Sequence, residues 1–184
     1  MGPNVLAEFT TPRLYLRVPR AGDGTLVHAA VVETLAQLRQ WPAFLPWAQA
    51  EPSVEVSEHW CQQSAAGFIE RSCLNYLVFD HAGELVASIG LHDIVWEIPS
   101  FAVGYWARKH YQGQGLMREA VGALVRYAFE QLGAKRVCAW TDEDNTPSRR
   151  LCESIGMQLE GILRHERMTP QGELRNSCVY AAVI

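Results

Sequence analysis

No apolar run in this 184-residue chain approaches the ~20 residues that a membrane-crossing helix needs. No positively charged and then apolar segment opens it, as a secretory signal would, and Met1-Gly2-Pro3 leads to Leu6 where an N-myristoylation site wants Ser or Thr. The five cysteines, Cys61, Cys73, Cys138, Cys152 and Cys178, are scattered, odd in number and never spaced as Cys-x-x-Cys. That spacing argues against a disulfide framework or a zinc site and for reduced thiols in a cytoplasmic protein. The six histidines show no His-Glu-x-x-His or similar ligand spacing, so no metal is expected. Basic charge is short as well: 16 Lys and Arg face 20 Asp and Glu, for a net charge of −4. A chain gripping nucleic acid by its phosphates would normally be basic, so nucleic acid is discounted as the main partner. No repeat, linker or low-complexity tract interrupts the sequence. Its 48% apolar and 20% charged residues suit a single domain over 1–184, with 1–10 as a flexible N-terminus.

What the chain does have is concentrated between residues 101 and 133. Phe101-Ala102-Val103-Gly104-Tyr105-Trp106-Ala107 is β-branched and aromatic, as a strand should be. Gln112-Gly113-Gln114-Gly115 follows, and then a helical pattern with one narrow non-apolar stripe at every fourth position, Arg118, Gly122, Arg126 and Glu130, joined by Glu119. Such a helix is buried on most of its circumference, and Gly133 stands where a left-handed C-terminal cap belongs. Glycines between a strand and a helix N-terminus let a ligand approach main-chain N–H groups beside the positive end of the helix dipole, an arrangement suited to a pyrophosphate. They also serve as a plain turn. Neither common nucleotide fingerprint fits: position 118 is Arg rather than Gly, and Gly115 is followed by Leu116-Met117 rather than Lys-Ser/Thr.

The rest reads in order. Leu14, Leu16 and Val18 alternate with Arg13, Tyr15 and Arg17 in a half-buried strand over 11–18. Asp23 stands at an N-cap position before an amphipathic helix through Leu26, Ala29, Ala30, Glu33 and Leu38 to about Gln40. Leu38 to Trp47 carries Trp41, Phe44 and Trp47 with two prolines, so it forms a rigid aromatic loop that either seals the core or walls a pocket. Residues 52–68 form a helix capped by Ser53, with Val56, Trp60, Cys61 and Ser64 near one face. Strands 74–80 and 85–92 make a hairpin around Gly83. A strand over 135–141, a short helix opened by Asn145 or Thr146 with Pro147 in its first turn, and strands over 158–168 and 174–183 complete the chain.

The run Gly104-Tyr105-Trp106 … Gln112-Gly113-Gln114-Gly115-Leu116-Met117-Arg118-Glu119-Ala120 resembles motif A of the GCN5-related N-acetyltransferases, and within them the branch that acetylates ribosomal-protein N-termini. His110 departs from the Gln or Arg that opens that motif. Thr11-Pro12-Arg13-Leu14-Tyr15-Leu16-Arg17 and the Trp41–Trp47 segment are similar to that branch too. The resemblance implies an α/β fold: a mixed, mostly antiparallel sheet of seven strands in the order βααβββαβαββ, with helices on both faces and a V-shaped split for acetyl-CoA. It places the pantetheine along Tyr105, Trp106 and Ala107 and the pyrophosphate on main-chain N–H groups from Gln112 through Gly113, Gln114, Gly115 and Leu116 to Met117. Trp41, Phe44 and Trp47 would wall the acceptor pocket. Asn145-x-x-Ser148 looks like the family segment whose serine lies beside the CoA thiol, which makes Ser148 the acid for the leaving sulfur and Asn145 a CoA contact; either residue could instead only cap its helix.

The general base is not selected. The family often keeps a Glu at the position of Ala102, and alanine accepts no proton. A water chain, Glu97, His92, His165 and Glu166 stay open. Deprotonation by water is the expectation, and it favours an α-amine of pKa about 8 over a lysine-like amine near 10. The activity implied is direct acetyl transfer to a primary amine, most simply a peptide or protein N-terminus, by a monomer or homodimer. A small-molecule amine (amino acid, polyamine or antibiotic) is the enzymatic alternative, and a non-catalytic acyl-CoA-binding sensor the alternative of another class.

Overall fold

The computed structural model describes residues 4–184, and the expectation for Met1 and Gly2 lies outside them. The strands are β1 (Glu8–Thr10), β2 (Leu14–Arg17), β3 (Leu74–Asp80), β4 (Leu85–Val95), β5 (Ser100–Ala107), β6 (Arg136–Asp142), β7 (Gln158–Met168) and β8 (Leu174–Val183). They form one eight-stranded sheet in the order β1-β2-β3-β4-β5-β6-β8-β7. Every neighbouring pair is antiparallel except β5 and β6, which run parallel. The additional strand β1 orders Glu8–Thr10, within the stretch over 1–10 that was expected to be flexible. Phe9 packs its ring 5.3 Å from Tyr76 and 5.6 Å from Tyr127, and the same two hydroxyls bond the Leu6 backbone at 2.8 and 2.7 Å.

Helices α1 (Gly24–Leu38) and α2 (Val54–Glu70) cover one face; α3 (Leu116–Glu130) and α4 (Thr146–Ser154) cover the other. Strand alternation divides the core accordingly. Tyr76 and Val78 of β3 join Ala120, Val121 and Leu124 of α3, while Leu77 and Phe79 join Val27, Val31 and Leu38 of α1. Full burial of each Leu or Val stabilises by ~1.5–3 kcal/mol, so α3 is held by its packing rather than by propensity.

Capping follows the sequence only in part. Ser53 accepts from Val56 N at 3.2 Å and caps α2 as expected. Asp23 does not cap α1: its carboxylate takes both Nη atoms of Arg17 at 2.7 and 2.8 Å and the Arg20 N–H. Glu58 of α2 instead receives the Gly22 and Gly24 N–H groups at 2.9 to 3.0 Å. A Cβ at Gly24 would lie 2.6 Å from Glu58 Cβ, so glycine is what allows this approach of the helices. The buried face of α1 runs through Val27, Ala30, Val31, Thr34 and Leu38 and leaves Ala29 exposed; on α2, Ser57 is buried and Val56 is exposed, against expectation. No helix among the described residues is long and apolar enough to cross a membrane.

Candidate active site

The parallel pair β5/β6 is short. Only Ser100, Phe101 and Ala102 are matched to Arg136, Val137 and Cys138; beyond them the strands diverge. The β4 side of β5 stays paired out to Ala107 opposite Ala87. Gly104, Tyr105, Trp106 and Ala107 therefore present a free backbone edge to the split.

The glycine loop lies at the end of β5. Gly113 and Gly115 take φ of +75° and +74°, Gly115 occupies the N-cap of α3, and no side chain caps that helix. A Cβ at Gly113 would meet nothing within 4 Å, and at Gly115 only Arg13 Nη2 at 3.6 Å. Glycine is required by the left-handed backbone, and the space beside it is open to a phosphate-bearing ligand. The N–H of Gln112 is already given to Lys109 O at 3.3 Å, which removes it from the expected donor run; Gly113, Gln114, Gly115, Leu116 and Met117 remain in the loop and first turn. The Gln112 and Gln114 side chains brace the loop by donating to Ala107 O at 3.0 Å and His110 O at 2.8 Å.

Two residues there were not singled out from sequence. Arg13 donates through Nη1 to Gln114 O at 3.1 Å and through Nε to Glu119 at 2.6 Å, which sets a cation beside the loop. Glu33 of α1 accepts from Arg108 Nε at 2.6 Å and contacts His110 Nδ1 at 2.5 Å, so His110 serves as a loop anchor. Burial alone would raise the carboxyls of Glu119 and Glu33. Thr11 and Arg13 for the first, and Arg108 and His110 for the second, outweigh it and hold both below the ordinary carboxylate range.

A cavity of about 790 Å³ lies against β5. Trp41, Phe44, Trp47, Tyr105, Trp106, Asn145 and Ser148 all line it, whereas Ala107 and the glycine loop do not. Trp47 is 48% exposed and its ring lies 6.3 Å from Trp106, so the aromatic loop walls the cavity as well as packing the core. Arg167 stacks its guanidinium 4.6 Å from the Phe44 ring. His92, Asp93 and Glu166 also line the cavity; Glu97 and His165 do not.

Ser148 and Asn145 divide the roles that the sequence left open. Asn145 Oδ1 accepts from Ser148 N at 3.2 Å and caps α4. The Ser148 hydroxyl is free of that task and lies 2.9 Å from the Tyr105 hydroxyl, which also approaches Cys152 Sγ at 3.3 Å. Burial pushes the Tyr105 hydroxyl pKa far up, so it stays a proton donor. Arg175 and Tyr180 of β8 hold the end of β6 before the helix and the helix itself. Buried Asp142 takes Arg175 in two bonds at 2.9 and 2.7 Å, and Arg149 reaches Glu143 O at 2.9 Å and Tyr180 at 3.2 Å. All five cysteines have their thiols pushed up by burial, Cys61 to about 12, which keeps them protonated at neutral pH.

These features have parallels among known proteins. The N-acetyltransferase p20 of Bacillus licheniformis, itself uncharacterised, is 32% identical over 88 residues, covering 48% of this chain and 49% of that protein. The ribosomal-protein-serine acetyltransferase of Escherichia coli is 25% identical over 130 residues, covering 71% of this chain and 69% of that one. The chain spans about half the length of p20 and of several other curated relatives it matches. RimL, a ribosomal alpha-N-protein acetyltransferase solved with coenzyme A, superposes with a TM-score of 0.87 at 23% identity, covering 95% of this chain and 96% of that one, a likeness of fold. The family model described as an acetyltransferase (GNAT) domain matches residues 13–158, from the start of β2 into β7 and across the whole split, loop and α4 segment: the chain belongs to the GNAT acetyltransferase family.

Proposed function

We propose that this protein is an acetyl-CoA-dependent N-acetyltransferase that moves the acetyl group directly to a primary amine, with a peptide or protein α-amine as acceptor. The observation that carries the reading is the free edge of β5, placed between an uncapped helix N-terminus and a cavity that holds a paired serine and tyrosine. When bound, acetyl-CoA supplies an acyl thioester already activated toward amines. The main-chain N–H groups of the loop and the first turn of α3 would hold its phosphates, and the β5 edge at Tyr105, Trp106 and Ala107 its arm. A β5 N–H directed at the acyl oxygen favours the negative charge that develops there. Ser148 Oγ, backed by Tyr105, gives a proton to the departing sulfur. Buried, protonated cysteines support transfer without an acyl-enzyme. The α-amine reading is supported by the likeness of fold to RimL, an alpha-N-protein acetyltransferase, and the protein-acceptor reading also by the E. coli ribosomal-protein-serine acetyltransferase.

Thiol release from acetyl-CoA is the test, measured against peptides with free N-termini, polyamines, amino acids and antibiotics. Turnover confined to the peptides is the expected result. Turnover confined to a small amine replaces the acceptor, and acetyl-CoA binding without turnover of any amine replaces the enzyme by a sensor.

A further inference from the structure

The acceptor nitrogen must lose a proton, and sequence alone left the base open with water favoured. We propose that His92 is the general base of this reaction and that Asp93 is its positioning residue; the inference rests on the acyl-transfer reading above.

Successive residues of a strand point to opposite faces, so the side chains of His92 and Asp93 should not meet. They do: His92 Nδ1 and Asp93 Oδ2 are 3.0 Å apart. The backbone explains it. Asp93 has a left-handed φ of +48°, and the β4/β5 register shifts between His92 and Val95. The irregularity turns the carboxylate to the side of the imidazole, and strand bulges beside active sites commonly re-aim a side chain in this way. A carboxylate on Nδ1 fixes the proton there and leaves Nε2 as the acceptor nitrogen.

Nε2 points to the reaction zone. His92 is matched across the ladder to Ala102, whose methyl leaves the neighbouring space to the ring. A Cβ at Gly104 would lie 3.1 Å from Nε2, so the ring lies over Gly104 with little room to spare. Among the described residues no hydrogen bond engages Nε2, and the side chain is 48% exposed in the cavity wall. The next residue of β5, Tyr105, carries the contact to Ser148. Acid and base are thus served by adjacent residues of the free strand edge, which face opposite ways.

The other candidates lack this arrangement. Glu166 accepts from Ser177 Oγ at 2.5 Å and lies 3.2 Å from Arg167 Nε; Glu97 and His165 lie outside the cavity lining. In the step itself the unprotonated amine nitrogen forms the C–N bond and gives a proton to Nε2, while the C–S bond breaks and the sulfur takes a proton from Ser148, which regains one from solvent in the cavity. The imidazolium charge is balanced by Asp93, and the half-exposed ring returns its proton to solvent.

The test uses the full chain and the best acceptor from the panel above. His92→Gln should lower kcat by ~10²-fold or more and leave the acetyl-CoA KM and the melting shift caused by CoA unchanged. Added imidazole should restore part of the activity of His92→Ala and leave the wild type unaffected. Asp93→Asn keeps a residue that tolerates a left-handed φ and removes only the charge; it should lower kcat with KM for acetyl-CoA in place. A His92→Gln kcat within a factor of two of wild type, with chemistry rate-limiting, overturns the proposal, as does an absence of imidazole rescue. A wild type inactive on every amine overturns the acyl-transfer reading, and this one with it.

Discussion

The Ser148–Tyr105 pair can be taken apart one hydroxyl at a time. Ser148→Ala removes a partner 2.9 Å from the Tyr105 oxygen, yet that hydroxyl keeps Cys152 Sγ at 3.3 Å and the Ser148 carbonyl at 3.4 Å. No buried donor is orphaned, so the stability loss should fall near the ~1 kcal/mol of an ordinary hydrogen bond. Asn145 still caps α4 through the backbone N–H of position 148, so the helix keeps its start. The kinetic effect should be larger. A donor that protonates the leaving sulfur contributes ~10²-fold or more to kcat, about 2.7 kcal/mol of barrier. Affinity for acetyl-CoA should barely change. Tyr105→Phe leaves the serine hydroxyl without its partner, so kcat should fall less, and the double variant should lose no more than slightly beyond Ser148→Ala because the two act as a unit. The assay is thiol release at saturating acetyl-CoA, with a single-turnover measurement to establish that chemistry limits the rate. Unchanged kcat in Ser148→Ala under that condition would refute the reasoning and leave Ser148 a structural residue of α4.

Three further outcomes are expected. Gly115→Val forces a branched side chain onto a φ of +74°; the wild type should gain about 2.7 kcal/mol of stability at ~100 times the acetyl-CoA dissociation constant, read as a rise in Tm, and the variant should not. Asp142→Asn breaks a pair whose acid is 3% exposed; since Arg175 retains Asp144 and Glu173, the loss in urea unfolding should be about 3 kcal/mol, the low end for a broken buried pair. Glu119 and Glu33 are held below their unfolded pKa, so their contribution is full above about pH 4.3 and disappears as the pH falls through the depressed folded values; Glu119→Gln should flatten that acid limb of stability against pH, and a limb of unchanged steepness would contradict the assignment.

Local signals were legible wherever a few neighbouring residues decide the outcome. Ser53 three positions before a free N–H, Gly83 in a hairpin loop and the exposed Arg118, Arg126 and Glu130 of α3 each required only short-range geometry, whereas Gly122, read into the same stripe, is buried. Long-range competition was not legible. Asp23 has the chemistry of a cap, but Arg17 folds beside it and takes its carboxylate, and Glu58 arrives from another helix to do the capping. β1 is three residues long, and what orders it, the rings of Tyr76 and Tyr127, lies far along the chain. In the candidate site, the family resemblance pointed to the loop and to Ser148, and the structure puts Ser148 in the cavity wall beside Tyr105. The Tyr105 contact, the Arg13 brace and the fold-back of Asp93 onto His92 depend on a register that spacing does not encode.

The short β5/β6 ladder also has a mechanical meaning. Three matched residues join β1–β5 to β6–β8, and α3 is the main element that packs against both sides of the join. Hydrogen-bonding groups left over along β5 must find partners, and in the free protein water is the partner at hand. A ligand that lies along that edge takes the place of the missing strand and turns an internal seam into continuous sheet. Amide hydrogens of Tyr105 and its neighbours are therefore the ones whose exchange should slow most on binding, and the two halves should become one cooperative unit only when the donor is in place.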